Sequence, residues 1–200
     1  MIYAVTNVVL TVLLKVFYRF SVIGRENLGT GPVVVVANHT SYLDPVVIGV
    51  AAPRAVYFMA KEELFNVPVL GWYIKQLHAF PVKRESVDRA MLRTALGHLK
   101  KNRAVLIFPE GTRSRDDLGE ALSGAAFIAH KAGVNIVPAA ISGAGSVLPP
   151  GAKIPRFPRI SVRFGAPIEL RGPGDRKALI GQATERMMSE ISSMLKKATA

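Results

Sequence analysis

The run Val33-Val34-Val35-Val36 constrains the fold more than any other stretch of the chain. Four β-branched apolar residues in succession, with no polar alternation, fit a strand buried on both faces, as in a parallel sheet covered by helices. Gly31-Pro32 opens the run, and Ala37-Asn38-His39-Thr40-Ser41-Tyr42-Leu43-Asp44-Pro45 closes it. There the apolar character stops and two ionisable side chains appear, His39 and Asp44. On one continuous helix a separation of five residues sets two side chains about 140° apart, so these two meet only if the backbone turns between them. Asp44 before Pro45 suits an N-cap with Pro at N1; a second phasing makes Ser41 the cap of a Ser-x-x-Asp box. Both place His39 at a strand's C-terminal end and Asp44 in the first turn of the next element. A histidine oriented by a carboxylate makes a general base whose imidazolium is stabilised once the proton arrives. The same pattern also fits a helix start beside a structural histidine.

Strand and helix signals alternate from Phe20 onward. Short apolar runs at 20–23, 33–37, 55–59, 79–82, 104–108, 135–141 and 159–164 predict strands. Helical periodicity falls near 45–51, 62–76, 86–101 and 121–132, with a last helix at 175–197. This alternation predicts an α/β fold: a single domain with a mostly parallel central sheet of about seven strands flanked by helices. Ligands of such sheets sit at the strand C-termini, and His39, Arg84 and the segment Glu110–Arg113 all follow such ends. Two hundred residues suffice for one core that buries about 70% of the unfolded surface, and no repeat or long linker divides the chain.

Apolar side chains dominate residues 2–20, but Asn7, Thr11, Lys15 and Arg19 recur at every fourth position. On a helix this makes a polar stripe along an apolar cylinder. The apolar stretch before Lys15 is shorter than the ~20 residues a membrane span needs, and without a basic leader or a small-residue cleavage site no signal peptide is expected. The spacing fits an amphipathic helix lying in a membrane interface with its polar stripe wet, or one packed on the core. The balance of 26 Lys and Arg against 14 acids, net +12, favours an anionic partner. Lys153, Arg156, Arg159, Arg163 and Arg171 interleave with Phe157 and Phe164, a pattern that suits single-stranded nucleic acid or an anionic membrane surface. No nucleic-acid motif accompanies it, so no nucleic-acid partner is expected. There is no cysteine, which removes disulfides and thiolate chemistry. No His, Asp or Glu cluster has metal-ligand spacing, and His78, His98 and His130 lie in separate sequence contexts.

Four ordered blocks carry a resemblance. They are Asn38-His39 with Asp44, Ala79-Phe80-Pro81-Val82-Lys83-Arg84, Phe108-Pro109-Glu110-Gly111-Thr112-Arg113-Ser114, and Val137-Pro138-Ala139-Ala140. In type and order they resemble the blocks of the glycerolipid acyltransferase family, the 1-acyl-glycerol-3-phosphate acyltransferases; Ala60-Lys61-Glu62-Glu63-Leu64-Phe65 fits as well. The resemblance implies an O-acyltransferase of phospholipid biosynthesis that needs no cofactor. Its donor would be acyl-CoA or acyl carrier protein, and its acceptor a lysophosphatidate-like lipid. His39 would be the general base and Asp44 its orienting carboxylate. Gly111, Thr112 and Arg113 would form a phosphate site, since glycine admits a close backbone approach and arginine offers a planar fork. Glu110 would hold a glycerol hydroxyl or orient Arg113, with Arg84 and Lys61 as further phosphate candidates. Residues 1–20 would form a membrane-associating helix and 21–200 the acyltransferase domain, on the cytoplasmic face of the membrane as a peripheral or monotopic protein. One departure bears on the acceptor: where the family commonly has a Phe-Lys pair, this chain has Ala121 and Leu122. That keeps a different lysolipid or glycolipid acceptor open, as well as a non-catalytic basic module that binds lipid or nucleic acid.

Overall fold

A computed structural model describes residues 2–82, 89–110, 122–149, 151–170 and 175–199. Helix α1 (Ile2–Tyr18) leads into β1 (Ser21–Ile23), and β2 (Val33–Ala37) follows. Next come α2 (Asp44–Ala51), β3 (Val56–Lys61), α3 (Glu62–Phe65), α4 (Pro68–Gln76) and β4 (Ala79–Val82). The chain continues with α5 (Arg89–Lys100), β5 (Ala104–Ile107), α6 (Gly124–Ala132), β6 (Asn135–Ser142), β7 (Ser161–Phe164) and α7 (Arg176–Thr199). Among the described residues the seven strands form one sheet in the order β1-β7-β6-β2-β5-β3-β4. Only the β6–β7 pairing is antiparallel, so β1 and β7 run opposite to the other five.

The valine run makes β2 the centre of this sheet, between β6 and β5. Val34, Val35 and Val36 have no exposed surface, and each buried valine contributes roughly 1.5 kcal/mol or more. Because side chains alternate across a strand, Val33, Val35 and Ala37 pack with Leu14 of α1 and Val47 and Ile48 of α2. Val34 and Val36 face the opposite layer, with Leu99 of α5, Ile128 of α6, and Met187 and Ile191 of α7. The result is a three-layer α/β/α domain. Asp175 starts the last helix by accepting a hydrogen bond from the Ala178 N–H at 2.8 Å on Oδ1, the usual role of an N-cap carboxylate.

Two elements differ from the sequence expectation. The helix read at 62–76 is broken, with Val67 extended (φ −82°, ψ 114°) and α4 restarting at Pro68. A residue before proline avoids the α region, whereas proline itself fits a first helical turn. Helix α1 is also turned differently. Thr6 and Leu14 are buried, and the Asn7 amide donates to the Gly49 carbonyl of α2 at 3.4 Å. Tyr73 of α4 donates its hydroxyl to Thr6 Oγ1 at 3.3 Å. A row of every-fourth residues drifts by about 40° per step, so the stripe begins against the domain at Asn7 and ends exposed at Lys15 and Arg19. The outward face is instead Val5, Val8, Val9, Val12, Val16 and Phe17. A cleft of about 560 Å³ runs beneath the helix between Thr11, Lys15, Arg25 and Glu26; none of its lining residues belongs to the site described below.

His78 and His98, far apart in sequence, share one ring cluster. Tyr57 lies 4.6 Å from His78 and 4.4 Å from His98 between ring centroids, and Tyr3 of α1 lies 4.5 Å from His78. The Arg103 guanidinium sits 4.5 Å above Tyr57 and donates to His98 Nδ1 at 3.2 Å; arginine has no acceptor, so Nδ1 carries the lone pair. Burial from water, and then the Arg103 charge, hold both imidazoles below their ordinary pKa. As pH falls the unfolded chain therefore binds these protons first. Stability is full above the ordinary imidazole value of about 6.5 and declines below it. Denaturant midpoints should drop between about pH 7.5 and about pH 5.5, and His98→Gln, which keeps an acceptor for Arg103, should flatten that slope. An unchanged slope would remove the cluster as its cause.

Candidate active site

At the C-terminal end of β2 the ladder to β6 does not stop with the backbone. Asn38, almost fully buried, continues it with its side chain: Oδ1 accepts from the Ile141 N–H at 2.8 Å, and Nδ2 donates to the Ile141 carbonyl at 3.0 Å. An amide can mimic a peptide group in this way because it carries both a donor and an acceptor. The strand is thereby pinned one residue before His39, and the main chain is free to turn.

The turn is closed by Asp44, which is 0% exposed. Its Oδ2 accepts from the Thr40 N–H at 2.6 Å, the Ser41 N–H at 2.7 Å and His39 Nδ1 at 2.9 Å. The Asp44 N-cap phasing does not occur, and of the Ser-x-x-Asp box only the backward half forms, Asp44 Oδ2 accepting the Ser41 N–H. Leu43 is the N-cap and Pro45 sits in the first turn without a side-chain cap, while Ser41 Oγ accepts only from the Leu43 N–H at 3.2 Å. The carboxylate reaches back along the chain instead of forward into the helix, and a single oxygen gathers the turn and the ring. Asp44 Oδ1 is buried with no partner among the described residues. Behind the turn there is little room: a Cβ placed on Gly145 would lie 3.1 Å from Thr40.

His39 is 14% exposed. Its imidazole stacks on Phe108, which follows β5, at 4.1 Å and 19°. Its backbone N–H donates to Glu110 Oε1 at 3.1 Å. The register explains that contact: Val36 pairs with Ile107, so His39 and Glu110 come level three residues further on. Donation of Nδ1–H to a carboxylate leaves Nε2 as the basic nitrogen. Four contacts, from Thr40, Ser41, Phe108 and Glu110, hold the pair in place and leave Nε2 as the ring nitrogen able to act on a proton.

His39 and Asp44 are brought together, and Glu110 joins them through the backbone of His39. Lys61 is exposed at the end of β3, on the same sheet edge but two strands from β2, roughly 10 Å away. Arg84, Gly111, Thr112, Arg113 and Ala121 lie outside the described residues, and Leu122 is exposed. Asn38 and Phe108 carried no assigned role in the sequence. Their signals are a lone amide at the end of an apolar strand and an aromatic at the end of the neighbouring one.

A buried carboxylate fixing a strand-end histidine defines an α/β protein equipped for general-base chemistry. Residues 19–142 match the family model described as Acyltransferase. The 1-acyl-sn-glycerol-3-phosphate acyltransferase of Bacillus subtilis is 30% identical over 93% of this chain and 94% of its own. The chloroplastic 1-acyl-sn-glycerol-3-phosphate acyltransferase LPAT1 of Arabidopsis thaliana is 36% identical over 68% of this chain; the match spans only 40% of that longer protein. The crystal structure of the 1-acyl-sn-glycerophosphate (LPA) acyltransferase PlsC from Thermotoga maritima superposes with a TM-score of 0.75 at 29% identity, over 96% of this chain and 78% of that one. The chain belongs to the acyltransferase family.

The Asn38 bridge yields a direct test. Asn38→Ala leaves the buried Ile141 N–H and carbonyl unpaired, at about 1–3 kcal/mol for an unsatisfied group. Denaturant unfolding should show a loss of at least that size, and wild-type stability in the variant would mean that the bridge does not hold the strand end.

Proposed function

We propose that the protein transfers a fatty acyl group from an acyl thioester, acyl-CoA or acyl carrier protein, to the free hydroxyl of a lysophosphatidate-type lipid, giving phosphatidate. One observation carries this reading: His39 Nδ1 lies 2.9 Å from the buried Asp44 Oδ2 at the end of the central strand. His39 Nε2 takes the acceptor hydroxyl's proton as its oxygen attacks the thioester carbonyl. The tetrahedral intermediate collapses with cleavage of the C–S bond, and the imidazolium returns the proton to the departing thiolate. One ester forms, one thioester is consumed and a free thiol leaves. Asp44 fixes the tautomer and stabilises the imidazolium, help typically worth 10²–10⁴-fold. The chain has no cysteine, and Ser41 Oγ is engaged with the Leu43 N–H within the turn, which favours direct attack by the acceptor over an acyl-enzyme.

Glu110 we assign first to positioning, since it accepts the His39 N–H. Arg113, with Gly111 and Thr112, is the proposed clamp for the acceptor phosphate; Arg84 and Lys61 supply further positive charge. Anionic donors and acceptors both suit a net charge of +12. Among the described residues no helix is long and apolar enough to cross a membrane. The valine face of α1 points outward, as expected of a helix lying in the interface of a bilayer that presents the acceptor.

The assay uses purified protein, a labelled acyl donor and a panel of lysolipids. Lysophosphatidate should be the preferred acceptor, and folded His39→Ala should be inactive. Near-full turnover by that variant would end the general-base assignment. Arg113→Lys should raise the KM for the acceptor far more than for the donor, because a point charge replaces a bidentate fork; equal effects on both would indicate a structural ion pair.

A further inference from the structure

Of the interleaved basic and aromatic residues, Arg171 lies outside the described residues and the others split into two groups in the fold. Phe164 and Arg163 belong to β7, where Phe164 is buried in the core; this part is ordinary strand alternation. Residues 151–159 are different. Ile154 is 79% exposed and Phe157 62% exposed, although the segment is tied down at its base. The Arg156 N–H donates to the Val147 carbonyl at 2.7 Å, and the Ile160 N–H donates to the Tyr18 carbonyl of α1 at 2.9 Å. The Phe157 ring meets Phe17 and Tyr18 of α1 at 5.7 and 5.6 Å. The exposed valine face of α1, at its Val16–Phe17 end, therefore runs on into Phe157, and Ile154 adds a second exposed apolar side chain three residues earlier in the same segment.

Charge identifies what covers that surface. Residues 2–20 and 151–159 contain Lys15, Arg19, Lys153, Arg156 and Arg159 and not one Asp or Glu. Exposed aromatic and aliphatic side chains flanked only by cations suit an anionic bilayer, where the apolar groups enter the acyl boundary and the cations meet headgroup phosphates. The surface also adjoins the catalytic edge. Ser161 pairs with Ser142 at the end of β6, three residues beyond the level of Ala37. Gly145, which leads through Val147 into this segment, packs against Thr40 in the His39 turn.

We infer that residues 151–159 form a second membrane contact, which acts with α1 to seat the protein on an anionic bilayer with the His39 edge toward the lipid. A single interfacial helix can roll about its axis; a second contact beside its C-terminal end fixes the tilt. The inference rests on the proposed acyl transfer to a lipid acceptor, and it names what orients that site.

The test uses the full chain and vesicles of phosphatidylcholine with phosphatidylglycerol. The double variant Ile154→Ser, Phe157→Ser should weaken sedimentation with these vesicles by at least about tenfold. It should lower turnover of lysophosphatidate presented in vesicles while leaving turnover in detergent micelles unchanged. Because Phe157 also touches α1, a second variant reports without removing an aromatic: Phe157→Trp in a Trp72→Phe background. Its emission should shift to the blue with anionic vesicles and be quenched by brominated lipid. Wild-type vesicle binding by the double variant, or tryptophan emission unmoved by vesicles, overturns the inference. So does a concentration-dependent dimer that the double variant abolishes, since the surface would then meet a second copy of the chain. Absence of transfer in detergent by the parent protein would defeat the proposed reaction, whereas vesicle binding and quenching would still decide the contact.

Discussion

Three N–H groups converge on one oxygen of a carboxylate that has no access to solvent. Asp44 Oδ2 collects the backbone donors of Thr40 and Ser41 and the imidazole of His39, so the shape of the turn and the orientation of the ring are one constraint. Charge-assisted hydrogen bonds of this kind are stronger than neutral ones and act at their best away from water. The surroundings keep it that way. The valines of β2 seal both faces of the sheet, Asn38 fastens the strand end to β6, and Phe108 and Glu110 bring the end of β5 against the ring and the main chain of His39. Removing the carboxylate would leave two partly buried backbone donors unpaired as well as freeing the imidazole.

This arrangement explains why the site sits where three strands end. Parallel strands deliver their C-termini to one edge, and a short turn there can carry side chains that need not serve the core. The antiparallel β7 brings the segment before it to that same edge from the opposite direction, beside the end of α1. The His39 turn and the exposed apolar surface around Phe157 are thus neighbours through the strand order, although 157 and 39 are far apart in the chain.

Much of this was legible in the sequence because it depends on local pattern. Val33–Val36 read as a strand covered on both faces, and the His39–Asp44 separation meant that the two side chains could meet only across a turn. The Ser-x-x-Asp box had the Asp44 carboxylate reaching back to the Ser41 N–H, as it does; that the same oxygen also takes the Thr40 N–H and the His39 ring was not legible, because that pattern covers neither residue. Pro68 gave a visible signal, but the apolar period on both sides of it masked the break. The facing of α1 escaped because its polar row drifts around the helix, and only the packing of Thr6, Asn7 and Leu14 decides which part is inside. Asn38, and the meeting of His78 with His98 around Tyr57, depend on partners distant in sequence, which no local pattern encodes.

The most direct measurement is the tautomer of His39. Long-range ¹H–¹⁵N correlation spectra of histidine-labelled protein, assigned with His39→Ala, report which ring nitrogen carries the proton. The geometry requires neutral His39 to be protonated on Nδ1, with Nε2 showing the shift of an unprotonated, accessible nitrogen. An Nε2–H tautomer would contradict the account, because the basic nitrogen would then face Asp44 and no lone pair would be left to take a proton from an acceptor hydroxyl.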